Sequence, residues 1–98
     1  MSVEIYILMK QYEIKVTGRV QGVWFRKFTE EKAKEIGLKG WVKNLPDGSV
    51  LTVAQGEVKD LETFIDFLKV GSPMSRVDKI FTSEINDLSD FDNFSIKY

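Results

Sequence analysis

Ninety-eight residues make one domain, with room for a single two-layer core. The chain has no cysteine and no histidine, which excludes disulfides, thiolate chemistry, zinc clusters and the usual imidazole base. A net charge of −1 gives no field for nucleic acid, and no membrane-spanning run or signal peptide is visible, so the expectation is a cytoplasmic protein. Its scattered carboxylates do not follow a calcium-loop pattern either. Any catalysis must therefore rest on positioning, on fixed electrostatics or on a carboxylate.

Residues 1–8 read as an N-terminal extension. They are β-prone, with Val3, Ile5 and Ile7 alternating with Glu4, Tyr6 and Leu8, and they precede a Met9-Lys10 pair that looks like a second start. From Gln11 to Val20 the pattern is strand, with Tyr12, Ile14 and Val16 on one face and Glu13, Lys15 and Thr17 on the other. A glycine-bearing loop follows, and then a helix from about Val23 or Trp24 to Ile36. Phe25, Phe28, Ala33 and Ile36 form its apolar stripe, and Gly37 is placed as its left-handed cap. Leu38 to Asn44 reads as a second strand, Leu45-Pro46-Asp47-Gly48 as a hairpin turn, and Ser49 to Gln55 as a third strand. Either face of that third strand suits the core, because Val50, Thr52 and Ala54 alternate with Leu51 and Val53. Gly56 is read as its end.

The second helix starts near Asp60. Its Leu61, Phe64, Ile65 and Leu68 recur at i, i+3, i+4 and i+7, and Gly71 and Pro73 stop it. Arg76 to about Ile85 forms a fourth strand and residues 86–90 a polar loop. Phe94, Ile96 and Tyr98 alternate as a short last strand. The order β-α-β-β-α-β predicts an α+β ferredoxin-like sandwich. Its sheet is antiparallel, in the order 4-1-3-2, with both helices on one face and the second strand at an edge.

The loop Gly18-Arg19-Val20-Gln21-Gly22-Val23-Trp24-Phe25-Arg26 joins a strand to a helix N-terminus. The first N–H groups of a helix lack partners and carry the positive end of its dipole, so an anion placed there meets several donors. Glycines at 18 and 22 permit a sharp turn and a close approach to a ligand. Arg26, in the first helical turn, offers a guanidinium fork to the same anion. Only three arginines occur, and Arg19 and Arg26 both flank this loop. The spacing matches neither a Walker loop nor a dinucleotide fingerprint. Taken alone it is an anion cradle, and many similar turns bind nothing. Asn44, read the same way, is a turn-forming asparagine.

The string resembles the signature V-x-G-x-V-Q-G-V-x-F-R of the acylphosphatase family. Its second motif, G-x-V-x-N before a D-G turn, is matched by Gly40-Trp41-Val42-Lys43-Asn44 and then Asp47-Gly48. The resemblance covers Met9 to Tyr98. It implies hydrolysis of acyl phosphates to carboxylate and inorganic phosphate, with no metal and no cofactor. Arg26 and Asn44 take the catalytic roles, the arginine on the phosphate and the asparagine on the attacking water. The backbone from Gln21 through Gly22, Val23, Trp24 and Phe25 to Arg26 takes the phosphate. Gln21 and Gly22 are expected to contribute backbone geometry rather than side-chain chemistry. Trp24 stands in the variable slot of the motif, where it either packs or lies at the site mouth. The expected partners are a small acyl phosphate and inorganic phosphate as a competitive inhibitor, acting on a monomer. Two other readings have less behind them. An RNA-binding sheet would need aromatic motifs that Ser49–Gln55 does not carry, and an accessory role would need a larger partner domain.

Overall fold

The computed structural model describes residues 9–98, so the expectation for the N-terminal extension lies outside the described residues. Strand β1 (Met9–Arg19) leads into helix α1 (Phe25–Ile36). Strands β2 (Lys39–Asn44) and β3 (Val50–Glu57) form the hairpin, helix α2 (Val58–Val70) follows, and β4 (Arg76–Glu84) and β5 (Phe94–Ile96) close the chain. The sheet order is β4-β1-β3-β2-β5. The order 4-1-3-2 is there, with one correction. The last strand adds beside β2, and it runs parallel to it. The sheet is therefore mixed, and β2 is an inner strand.

The alternation of strand side chains decides the face left open by the sequence. Val16, Val50 and Asn44 stand in register across β1, β3 and β2, as do Ile14, Thr52 and Val42. Val50 and Ala54 belong to the core beneath the helices, together with Ile14, Val16, Val42 and Phe94. Each helix lays its apolar stripe on that core, α1 through Phe25 and Ala33 and α2 through Leu61, Phe64 and Leu68. Phe64 meets Phe94 edge-on at 6.2 Å, the favoured geometry for two rings. Burying such a side chain stabilises by about 1.5–3 kcal/mol, which is how a three-residue strand is held. Thr29 is fully buried in α1 because its Oγ1 donates to the carbonyl of Phe25, 2.8 Å away.

With β4 and β5 at opposite edges, the connecting segment 85–93 must cross the sheet. Two buried glutamines receive it. Ser89 N donates to Gln11 Oε1 at 2.7 Å, and Gln55 Nε2 donates to the Ser89 carbonyl at 2.7 Å. The segment then docks on β2, where Gly40 N donates to the Asn93 carbonyl. Strand β3 runs through Gly56 to Glu57 and α2 begins directly at Val58, so no loop separates them.

Two motif glycines are needed for close packing of strands. A Cβ on Gly40 would lie 1.9 Å from the Val53 carbonyl oxygen, and one on Gly18 would lie 2.1 Å from that of Arg76. Gly18 thus serves a bulge where β1 meets β4, and not a ligand. Both have φ beyond +120°. Gly40→Ala is expected to cost about 3 kcal/mol through overpacking and backbone strain. At roughly 4–8 °C per kcal/mol for a domain of this size, thermal unfolding should show a fall of more than about 10 °C.

Candidate active site

Topology brings the site together. Strands β1 and β2 are each antiparallel to β3, so they run parallel to one another, and β5 runs parallel to β2. The C-terminal ends of β1, β2 and β5 therefore share one end of the sheet. The loop 20–24 leaves the first, Asn44 ends the second and Tyr98 lies just beyond the third. Together they enclose a cavity of about 340 Å³.

On the loop side, Gly22, Trp24, Phe25 and Arg26 line this cavity. Gly22 and Trp24 both adopt left-handed backbone, at φ 73° and 64°. Trp24 is the N-cap of α1, and neither its side chain nor any other caps the helix. The first backbone bond of α1 is Phe28 N to the Trp24 carbonyl. The N–H groups of Phe25, Arg26 and Lys27 are thus left over, and no acidic residue occupies the first turn to offset the dipole. The Arg26 guanidinium lies over the Tyr98 ring, 4.9 Å from its centroid. Among the described residues it forms no ion pair.

Asn44 lines the same cavity. Its Oδ1 is buried and has no hydrogen-bond partner among the described residues. A buried acceptor without a partner is costly, by about 1–3 kcal/mol. The turn-forming role read from spacing therefore does not describe it. Asp47 is the turn residue instead, accepting hydrogen bonds from Ser49 N and Oγ.

Gln21 and Val23 do not line the cavity. Val23 is buried in the core, and its carbonyl accepts a hydrogen bond from Ser72 Oγ at 2.7 Å, which anchors the loop. Gln21 does something the sequence reading missed. Its Nε2 donates to the carbonyls of Leu45 and Ser49, both at 2.8 Å. These are the residues that close the β2–β3 turn, so one side chain spans the loop and the Asn44 hairpin. Arg19 is exposed on β1 and away from the cavity. Ile96, Tyr98, Val20 and Lys27 complete the walls. The alternation at 94–98 marked the last strand, but only its parallel pairing with β2 brings Tyr98 here. No Asp, Glu or His side chain lines the cavity. No cluster of metal-ligating side chains occurs among the described residues.

The fold is a ferredoxin-like α+β domain whose cavity joins an uncapped helix terminus, an arginine and an asparagine, a donor set suited to an anion. The sequence profile of the acylphosphatase family matches residues 12–96. The chain is 46% identical over 90 residues to an acylphosphatase of Bacillus subtilis, covering 92% of this chain and 99% of that one. It is 43% identical over 93 residues to human acylphosphatase-2, covering 92% and 94%. The structure of an acylphosphatase from Coxiella burnetii superposes with a TM-score of 0.92 at 33% identity, over 98% of this chain and all of that one. The chain belongs to the acylphosphatase family, enzymes that hydrolyse acyl phosphates. Among the described residues no helix is long and apolar enough to cross a membrane.

Two measurements follow from the hairpin. Gln21→Ala removes the second donor from the Leu45 and Ser49 carbonyls, which keep their bonds from Gly48 N and Leu45 N, and should lower stability by about 1 kcal/mol, seen as a fall of several degrees in thermal midpoint. Asp47 is held well below the usual carboxylate range by the Lys15 ammonium at 2.8 Å and by Ser49. A depressed carboxylate stabilises the fold above its unfolded value, about 3.9, and loses that contribution as pH falls. The midpoint gap between the native protein and Asp47→Asn should be widest near neutral pH and shrink below about pH 4.

Proposed function

We propose that the cavity hydrolyses the carboxyl–phosphate bond of an acyl phosphate by attack at phosphorus, without metal or covalent intermediate. The phosphate is held by the backbone of Gly22, Trp24, Phe25 and Arg26, the part of the 21–26 loop that lines the cavity, and by the Arg26 fork, and the attacking water is held by Asn44. The observation that carries this reading is that Asn44, whose Oδ1 has no hydrogen-bond partner among the described residues, lines the same cavity as Arg26 and the uncapped start of α1. With its side chain turned into the cavity, the amide oxygen accepts a hydrogen bond from a water, whose lone pair then points at the bound phosphorus.

The chemistry suits these walls. A carboxylate leaving group needs no strong general acid. Phosphoryl transfer runs through a loose transition state with charge on the outer oxygens. Fixed N–H donors and a guanidinium stabilise that charge with little reorganisation. With no Asp or Glu side chain on the walls, and an asparagine too weak to be a base, the water's proton passes to a phosphate oxygen or leaves late. Inorganic phosphate, as the product, fits the same donors and should compete.

We propose further that the enzyme acts as a monomer in the cytoplasm. The exposed edge strand β4 carries Arg76, Asp78, Lys79 and Glu84, charges that discourage edge-to-edge pairing. The test is turnover of benzoyl phosphate with a chelator present. Arg26→Ala should lose about 10²–10³-fold in kcat/KM, roughly 3–4 kcal/mol, as expected for a charge-stabilising donor. Asn44→Ala should lose kcat and leave inhibition by phosphate nearly unchanged. A folded native protein without activity, or an Asn44→Ala enzyme with full turnover, would sink the reading.

A further inference from the structure

A second groove of about 280 Å³ adjoins the cavity and shares Trp24 and Lys27 with it. Phe28, Glu31, Ser72 and Pro73 complete its walls, and Asn44 is not among them. An in-line displacement places the attacking water and the leaving group on opposite sides of phosphorus. With the water at Asn44, the acyl group leaves toward the wall that Asn44 does not touch. We infer that this groove is the acyl subsite, and that Trp24 selects acyl phosphates whose acyl group is neutral, flat and apolar, above all aryl groups. The inference rests on the proposed acyl phosphate hydrolysis.

Three observations point that way. Trp24 is 76% exposed, and its backbone is left-handed at φ 64°. A bulky residue pays conformational strain there, and strain of this kind concentrates at functional sites. It is not packing that holds the indole in place. Phe28 and Pro73 add a second aromatic ring and a rigid pyrrolidine. The polar members are already engaged or of the wrong sign for an anion. Ser72 Oγ donates to the Val23 carbonyl, Lys27 pairs with Glu30 at 3.0 Å, and Glu31 adds a negative charge. A second anionic group on the acyl chain would find no free cation in the groove.

The experiment compares kcat/KM for benzoyl phosphate and acetyl phosphate in the native enzyme, Trp24→Gly and Trp24→Phe. The ratio of the two substrates is the readout, because it cancels any change in the shared phosphate contact. Glycine accepts φ near +64° without strain, so Trp24→Gly should unfold at or above the native midpoint. The native ratio should favour benzoyl phosphate. Trp24→Gly should lower it about tenfold or more, the scale of losing an apolar contact in a pocket, mainly through KM. Trp24→Phe should retain most of it. An unchanged ratio in Trp24→Gly, with both substrates still turned over, overturns the subsite alone. A native enzyme that hydrolyses neither substrate overturns the hydrolase reading and the subsite with it.

Discussion

The two hydrogen bonds from Gln21 Nε2 to the Leu45 and Ser49 carbonyls tie the two halves of the site together. Arg26 and the free helix donors belong to the segment after β1. Asn44 belongs to the β2–β3 hairpin and lies eighteen residues beyond Arg26, with the rest of α1 between. Sheet register alone brings the strands into line, since Val16, Val50 and Asn44 are neighbours across β1, β3 and β2. Register does not hold a turn at a set height above a loop. A single amide that spends both hydrogens on the carbonyls closing the turn does. Reactions that depend on positioning are sensitive to shifts of an ångström, so in the proposed reaction such a strut would count although its side chain does not line the cavity.

The same logic explains why so much of the structure is spent on the far side of the sheet. β5 has only three residues, and it brings the chain end to the Arg26 side chain. To reach that place from the opposite edge, the chain must cross the sheet. The buried pair Gln11 and Gln55 gives the crossing segment the partners it needs. Phe94 then fixes the strand by packing on Phe64. A polar network at one end of the molecule thus sets where a tyrosine ring stands at the other.

Local signals in the sequence were strong where one segment contains its own reason. The i, i+3, i+4, i+7 run in α2 and the left-handed cap at Gly37 are of this kind. So was the cradle, because an uncapped helix start is a property of one turn. Pairwise facts were harder. Nothing in Phe94-Ser95-Ile96 says that it pairs in parallel with β2, and the sheet was accordingly read as wholly antiparallel. Nothing in β3 says which of its two apolar faces meets the helices. Gly18 looked like a ligand-approach glycine because it sits in the motif, whereas its hydrogen-only side chain admits the β4 backbone. Gln21 was read for its backbone because the carbonyls it reaches lie more than twenty residues away. The family motif brought Asn44 forward; spacing alone left it a turn residue.

The placement of charge gives the arrangement its final coherence. No acidic side chain lines the cavity, and among the described residues several acidic side chains elsewhere have a basic partner. Glu30 is lowered from its ordinary range by Lys27 and Lys34, against the burial that opposes ionisation. Asp47 is held by Lys15 and Asp78 by Arg76. Arg26 has an aromatic ring beside it and, among the described residues, no ion pair. Had one of those carboxylates reached Arg26, an incoming phosphate would have to displace it, and part of the guanidinium's attraction would be lost to that exchange. A ring holds the fork in place without cancelling its charge, because its quadrupole attracts a cation yet accepts no hydrogen bond of comparable strength. The helix dipole is left equally unopposed by the missing acid in the first turn of α1. In a protein with a net charge of −1, a positive site is therefore made where, among the described residues, Arg26 has no ion pair and the first turn of α1 no acid.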